Sequence, residues 1–342
     1  MKIFITGIAG FIGFHLARYL CSQNIYVTGC DNLSPYYSID LKQSRLAILA
    51  KLGISVLPLD ITDLETIEAH FRENSYDVLI HLAAQPGVRY SVQNPSLYVQ
   101  TNWIGFFHIL EVCKKYPTMR LIYASSSSVY GKNAKIPFSE ADITDSPTNI
   151  YAVTKKSNEL LAHAYHHLYN IPITGLRFFT VYGPWGRPDM AYYSFTESIL
   201  QERIISLYSF GKMERDFTYI DDIIIGISQV LDRVPGNAQI INLGNQNPQS
   251  TQRMIEILET LLQKSAIIKH MPAPLEDVFI TYADGAYSAD LIDFKPRTTL
   301  EEGLSSFVSW YLSYKGKISE NANIDPRVIT QIGSQNIESP ST

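Results

Sequence analysis

The stretch Lys2-Ile3-Phe4-Ile5-Thr6-Gly7-Ile8-Ala9-Gly10-Phe11-Ile12-Gly13 decides the fold. Its apolar start reads as a strand, and Phe11–Gln23 continues with the periodicity of a helix. Gly7 and Gly10 can turn tightly and let the backbone approach a pyrophosphate, while Gly13 lets the helix pack close to the sheet. The free N–H groups at the helix start then face the phosphates. Three glycines could also make a plain strand-to-helix turn. The carboxylate ending the second strand, Asp31, argues for a dinucleotide: it would bond the adenosine ribose and repel a 2′-phosphate, which favours NAD over NADP. Asp60-Ile61, after the third strand, is placed to meet the adenine, and Asp63 is the better candidate for capping the helix that follows.

Working outward, Ile3–Thr6, Tyr26–Cys30, Ser55–Leu57, Val78–His81 and Arg120–Tyr123 read as strands. Helical patterns at Phe11–Gln23, Leu41–Lys51, Leu64–Glu73 and Tyr98–Tyr116 lie between them. Such alternation implies an α/β fold with a doubly wound parallel sheet, covered on both faces. A long helix from about Ile150 to Tyr169 and a strand at Ile173–Phe178 follow. After Gly183-Pro184-Trp185-Gly186 turns become frequent, with short strands at Ile205–Tyr208, Asp216–Thr218 and Ile240–Asn242. We therefore expect a nucleotide-binding domain over 1–183, a smaller C-terminal α/β lobe over 184–316 with some segments returning to the first, and a flexible tail over 317–342.

Composition narrows the function. A net charge of −5 gives no reason to expect nucleic acid or an anionic membrane as partner. Apolar runs are short and interrupted, and Met1-Lys2 leads directly into a strand, so no membrane span or signal peptide is expected and the cytoplasm is. Cys21, Cys30 and Cys113 are scattered in apolar settings, as buried reduced thiols are. His163, His166 and His167 share a helix without metal-ligand spacing beyond it, and no metal is expected.

Chemistry enters with Tyr151 and Lys155, four residues apart and so on one helix face. An ammonium beside a phenol favours the phenolate and is expected to lower the tyrosine pKa, making an acid/base for a sugar hydroxyl. The spacing alone is weak, since such pairs also occur on solvated helix faces. The order of motifs is stronger: Gly7-x-x-Gly10-x-x-Gly13, His81-Leu82-Ala83-Ala84, Ser125-Ser126-Ser127-Ser128-Val129-Tyr130-Gly131, then Tyr151-x-x-x-Lys155.

This series resembles the extended short-chain dehydrogenase/reductase family of nucleotide-sugar epimerases, dehydratases and decarboxylases, from Lys2 to about Tyr314. The resemblance implies a Rossmann-type NAD domain, a nucleotide-sugar lobe, and a homodimer joined through two helices per subunit. It also implies NAD contacts from Gly7, Gly10, Phe11, Ile12, Gly13, Asp31, Asn32, Ser34, Asp60, Ile61, Leu82, Ala83, Ala84, Asn102, Tyr151, Lys155 and Val181. Within the family, Asp31–Tyr37, Gln85–Ser91, Phe178–Ala191 and Gly211–Asp222 are similar to the branch that epimerises UDP-glucuronate at C4. By that likeness Ser126 bonds the 4-hydroxyl, Tyr151 is the acid/base, and Lys155 tunes it and contacts the ribose. Arg215 holds the UDP diphosphate and Arg89 also contacts substrate. Arg187, Thr180, Ser127 and Ser128 receive the hexuronate carboxylate, although a surface arginine in a turn is the plainer reading of Arg187.

All reactions of the family begin with oxidation at C4. Dehydratases carry an Asp-Glu pair after the serine and decarboxylases usually a Glu; Ser127-Ser128 are poor acids and bases near neutral pH, which leaves simple return of hydride and a 4-epimerase. Neutral UDP-hexose epimerisation is the alternative, with UDP-glucuronate decarboxylation and a catalytically silent NAD-binding regulator behind it. One departure stands out: Pro274-Leu275-Glu276-Asp277-Val278 lacks the Gln and Gly usual before Tyr-Ala-Asp, so nucleotide contacts from that loop are in doubt.

Overall fold

The computed structural model describes residues 1–132, 135–272 and 279–321, with side chains described as far as residue 316. Its centre is a seven-stranded parallel sheet. Six strands come in succession from the amino-terminal part of the chain: β1 (Lys2–Thr6), β2 (Tyr26–Cys30), β3 (Ser55–Leu57), β4 (Val78–His81), β5 (Arg120–Ser126) and β6 (Ile173–Phe178). The seventh, Asn237–Leu243, pairs with β6, giving the spatial order Asn237–Leu243, β6, β5, β4, β1, β2, β3. Every pairing in this sheet is parallel. The chain moves outward from β1 through β2 to β3, then returns to the other side of β1 for β4. Beyond the carboxyl ends of these strands that reversal opens a crevice.

Alternation of side chains across the pleat divides the core between two faces. Ile3 and Ile5 join Phe14, Leu20, Ile220 and Ile227 on one side, whereas Phe4 joins Phe71, Leu79, Phe106 and Tyr123 on the other. Each such apolar side chain removed from water contributes roughly 1.5–3 kcal/mol. The helix α1 (Phe11–Ser22) covers the first face with Ile220–Arg233, while α2 (Ile39–Lys51) follows β2. The helix α3 (Leu64–Glu73) and the Gly105–Lys115 helix serve the second face. Asp63 caps α3, its carboxylate accepting from Thr66 N at 3.1 Å, and Asn149 caps the Ile150–Tyr169 helix through Ala152 N at 2.9 Å.

The remaining chain forms smaller strand pairings. Ile204–Tyr208 pairs in parallel with Ile267–Met271, and Glu214–Arg215 pairs with Gln249–Ser250 and Ile280–Thr281. Asp216, fully buried, accepts from Ala283 N, Asn245 N, Gln246 N and Thr218 Oγ1 and so ties three segments together. Burial holds its carboxyl above the usual range despite those donors.

Several sequence expectations need correction. The helix expected over Tyr98–Tyr116 is a single turn at Pro95–Tyr98, a π-helical segment at Val99–Ile104 and an α-helix at Gly105–Lys115. β5 extends beyond Tyr123 to Ser126, placing that serine at the carboxyl end of the strand. The strand expected at Asp216–Thr218 is instead two, Glu214–Arg215 and Phe217–Tyr219, because Asp216 turns inward to its amide partners. The helix Leu300–Asn321 runs past Lys317, where the tail is expected to start. Residues 322–342 and the Pro274–Val278 departure lie outside the described residues. No described helix is long and apolar enough to cross a membrane, and no described cluster of three His, Cys, Asp or Glu residues could hold a metal.

Candidate active site

The glycine turn is closed by its own backbone. Gly7 N and Ile8 N donate to Cys30 O at 2.8 and 3.2 Å, and Gly10 N donates to Gly7 O at 2.9 Å. Gly7 has φ +72, and a Cβ there would stand 2.7 Å from Ala83 N; at Gly13 a Cβ would stand 2.3 Å from Gly7 O. Glycine is therefore required at both positions. The N-terminus of α1 has no side-chain cap and no acidic residue in its first turn, so its first N–H groups are available to an anion.

A cavity of about 400 Å³ opens at this turn and continues to Tyr151 and Arg187. All the expected NAD-contacting residues except Asn102 line it: Gly7, Gly10, Phe11, Ile12, Gly13, Asp31, Asn32, Ser34, Asp60, Ile61, Leu82, Ala83, Ala84, Tyr151, Lys155 and Val181. Uncapped helix, glycine cradle and carboxylates in sequence along one wall fit a dinucleotide. Asp31 accepts from Ala9 N at 3.1 Å and Leu33 N at 2.9 Å, which aligns its carboxylate with the turn. Asn32 Nδ2 donates to Asp60 at 2.8 Å, and this bond with those from Thr62 holds Asp60 below the usual carboxylate range against the opposing effect of burial. Asn102 does not line the cavity. It is buried behind the wall, accepting from Gln85 N at 2.7 Å and donating to Gln85 O and Thr154 Oγ1, so it positions the loop after β4.

At the other end Tyr151, Lys155 and Ser126 meet. Tyr151 and Lys155 share a helix face, with Nζ 5.9 Å from the phenol ring centroid, and Lys155 Nζ donates to Ala124 O at 2.8 Å. The expected lowering of the tyrosine pKa is not what this structure has. Burial raises the Tyr151 phenol, and the Ser126 hydrogen bond and the Arg187 charge only partly oppose it. Lys155 is also buried, which brings its ammonium down to about 8. The helix bearing the pair is clamped to the sheet by Glu159, which accepts from Ser125 Oγ at 2.7 Å and receives Arg177 through two bonds of 2.8 Å. That carboxylate stands one turn beyond Lys155, so the clamp fixes both the helix and the strand end that holds Ser126.

Arg187 follows a tight turn in which Gly183 has φ +143 and Trp185 φ +60. A bulky residue in the left-handed region is strained by roughly 1–3 kcal/mol and persists only where its surroundings hold it. Trp185 packs between Phe14 at 5.4 Å, Trp310 at 5.3 Å and Tyr314 at 5.4 Å. Arg187 lines the cavity, but its fork is not free. Nε and Nη2 donate to Asp189 at 3.0 and 2.5 Å, and Tyr36 Oη donates to the same carboxylate at 3.1 Å. The arginine is thus a buttressed group with one edge engaged, neither a surface side chain nor an open fork.

The other expected substrate residues lie outside the cavity lining. Ser128 stays next to Ser126, their hydroxyls 3.1 Å apart, and Ser127 opens the same short turn of helix. Thr180 begins a strand parallel to Phe217–Tyr219. Arg89 stacks over Tyr208 at 4.7 Å, and Arg215 donates to Glu214 O and Phe279 O. Lys42, which sequence reading missed, lines the cavity and donates to Ser34 O at 2.9 Å, 3.9 Å from Asp31. A helix-borne cation carries no motif; only its spacing after Asp31 hinted at it.

Comparison with known proteins agrees with this geometry. The model of the NAD dependent epimerase/dehydratase family matches residues 3–244. The chain is 45% identical to Protein CapI of Staphylococcus aureus over 334 residues, covering 93% of this chain and all of that protein. It is 44% identical to UDP-glucuronate 4-epimerase 4 of Arabidopsis thaliana over 331 residues, 92% of this chain and 76% of the relative. Among solved structures, UDP-glucuronic acid 4-epimerase from Bacillus cereus, in complex with UDP-glucuronic acid and NAD, superposes with a TM-score of 0.86 at 33% identity, covering 92% of this chain and 100% of that one. Motif order, sheet topology and relatives along nearly its whole length converge, and the chain belongs to the NAD dependent epimerase/dehydratase family.

Proposed function

We infer that this protein is a UDP-glucuronate 4-epimerase, interconverting UDP-glucuronate and UDP-galacturonate. The observation that carries the reading is one cavity lined by the glycine turn, by Ser126, Tyr151 and Lys155, and by Arg187. NAD fits the cradle, and when bound it supplies reversible two-electron oxidation of a carbinol carbon. The chain supplies the rest. Ser126 holds the 4-hydroxyl, Tyr151 takes its proton and later returns it, and Lys155 carries a positive charge on the same helix face. The 4-keto uronate is a β-keto acid, which loses CO₂ when its carboxylate bond aligns with the ketone π system. Arg187, assisted by Ser127, Ser128 and Thr180, grips the carboxylate against that alignment. Inversion then needs only a turn of the ring before C4 is reduced. Arg89 and Arg215 serve the nucleotide side of the substrate.

Ser127 and Ser128, where elimination would need an acid and a base, favour epimerisation over dehydration. Purified protein incubated with UDP-glucuronate should form UDP-galacturonate without CO₂; a UDP-pentose with CO₂, or turnover of UDP-glucose alone, would overturn the reading. We also read the protein as a cytoplasmic homodimer. Trp103, Phe107, Val153, Leu160 and Leu168 are exposed apolar side chains on the neighbouring helical segments 99–115 and 150–169, as an interface between copies requires. Light scattering tests the dimer.

A further inference from the structure

The turn that carries Arg187 is suspended through three consecutive carbonyls from the half of the chain that forms the glycine turn. His15 Nε2, on α1, bonds Pro184 O at 2.9 Å. Arg45, on α2, donates from Nη2 to Trp185 O at 2.5 Å and to Gly186 O at 3.4 Å. The same guanidinium donates from Nη1 to Ala9 O at 2.7 Å and to Tyr37 Oη at 2.8 Å. One side chain thereby grips the glycine turn, the tyrosine loop and the arginine turn at once.

Two features argue for more than packing. Arg45 is fully buried, and its hydrogen bonds run to carbonyls and a phenol rather than to a carboxylate, so among the described residues its charge is removed from water without a neutralising partner. Its shortest bond is to the carbonyl of Trp185, the residue held at φ +60, so the guanidinium secures the strained point from which Arg187 projects two residues later. Arg45 is not among the residues lining the cavity.

We propose that Arg45 is a positioning residue for uronate recognition: it aims Arg187 by fixing the Trp185 and Gly186 carbonyls, and through Ala9 it ties that aim to the cofactor turn. The inference rests on the reading of Arg187 as the carboxylate's partner. Its test is calorimetric titration of the NAD-loaded protein with UDP-glucuronate and with UDP-glucose, the ratio of the two Kd values giving the uronate preference. Arg187→Ala should abolish the preference. Arg45→Met should reduce it about ten-fold or more, the scale of a misplaced binding group, while the Kd for UDP-glucose stays within about two-fold. Arg45→Lys keeps the charge without the fork and should not restore it. The double variant should lose no more preference than Arg187→Ala alone, because one residue acts through the other. If Arg45→Met does not fold, His15→Leu, which frees Pro184 O, carries the same expectation. Equal weakening of both sugars, or intact preference in the Arg45 variants beside its loss in Arg187→Ala, would overturn the proposal. Intact preference in Arg187→Ala would overturn the Arg187 reading first.

Discussion

In the role proposed for it, Tyr151 must become a phenolate inside a site that opposes charge. Burial raises its pKa, and the groups that offset this are the Ser126 hydroxyl and the Arg187 charge. Ser126→Ala should therefore raise the phenol further and move the acidic limb of the kcat–pH profile to higher pH. The kcat at pH 7 should fall on the order of ten- to hundred-fold, the worth of a hydrogen bond to a charged group. A profile unchanged in position would show that Tyr151 does not titrate as the base. The i,i+4 spacing of Tyr151 and Lys155 was legible in the sequence, but the direction of the phenol shift was not. Spacing fixes a shared face, whereas a pKa depends on how deeply that face is buried, and burial comes from strands and turns far along the chain.

At the scale of elements, the helix that carries Tyr151 and Lys155 depends on the Glu159 clamp. Glu159→Ala would leave Arg177, buried beside Tyr130 at 4.7 Å, without its bidentate partner and Ser125 without its acceptor. We expect a loss of about 3–5 kcal/mol, as when one member of a buried ion pair is removed, with a further drop in kcat as Ser126 and Tyr151 lose register. Chemical denaturation and kinetics on the same sample check both effects. Strands and helices of the first half were readable from period and turn residues, because each is decided within its own few residues. The helix before Gly105 was read as continuous, because its π-helical stretch depends on what packs behind it. Neither Arg45 nor Asp216 announces itself locally: their partners lie from a few residues to more than a hundred away.

On the scale of the whole molecule, the sheet buries titratable groups that respond to acid. His81, on β4, is buried against Thr6 Oγ1 at 2.8 Å, and burial brings its imidazole from 6.5 down to about 3. The folded pKa lies below the unfolded one, so the unfolded chain binds the proton first. This contribution is fully present above about 6.5 and is lost as pH falls toward about 3. His81→Gln should flatten the fall of stability between pH 7 and pH 5 by on the order of 2 kcal/mol, read by urea denaturation at each pH. The contact of Trp185 with Trp310, 5.3 Å apart, also makes the molecule its own optical reporter. The chain has three tryptophans, and the third, Trp103, is 44% exposed, so Trp103→Phe would leave emission from that pair alone. Any shift of the Arg187 turn on ligand binding should then appear as a change in the wavelength and polarisation of that light, without a label.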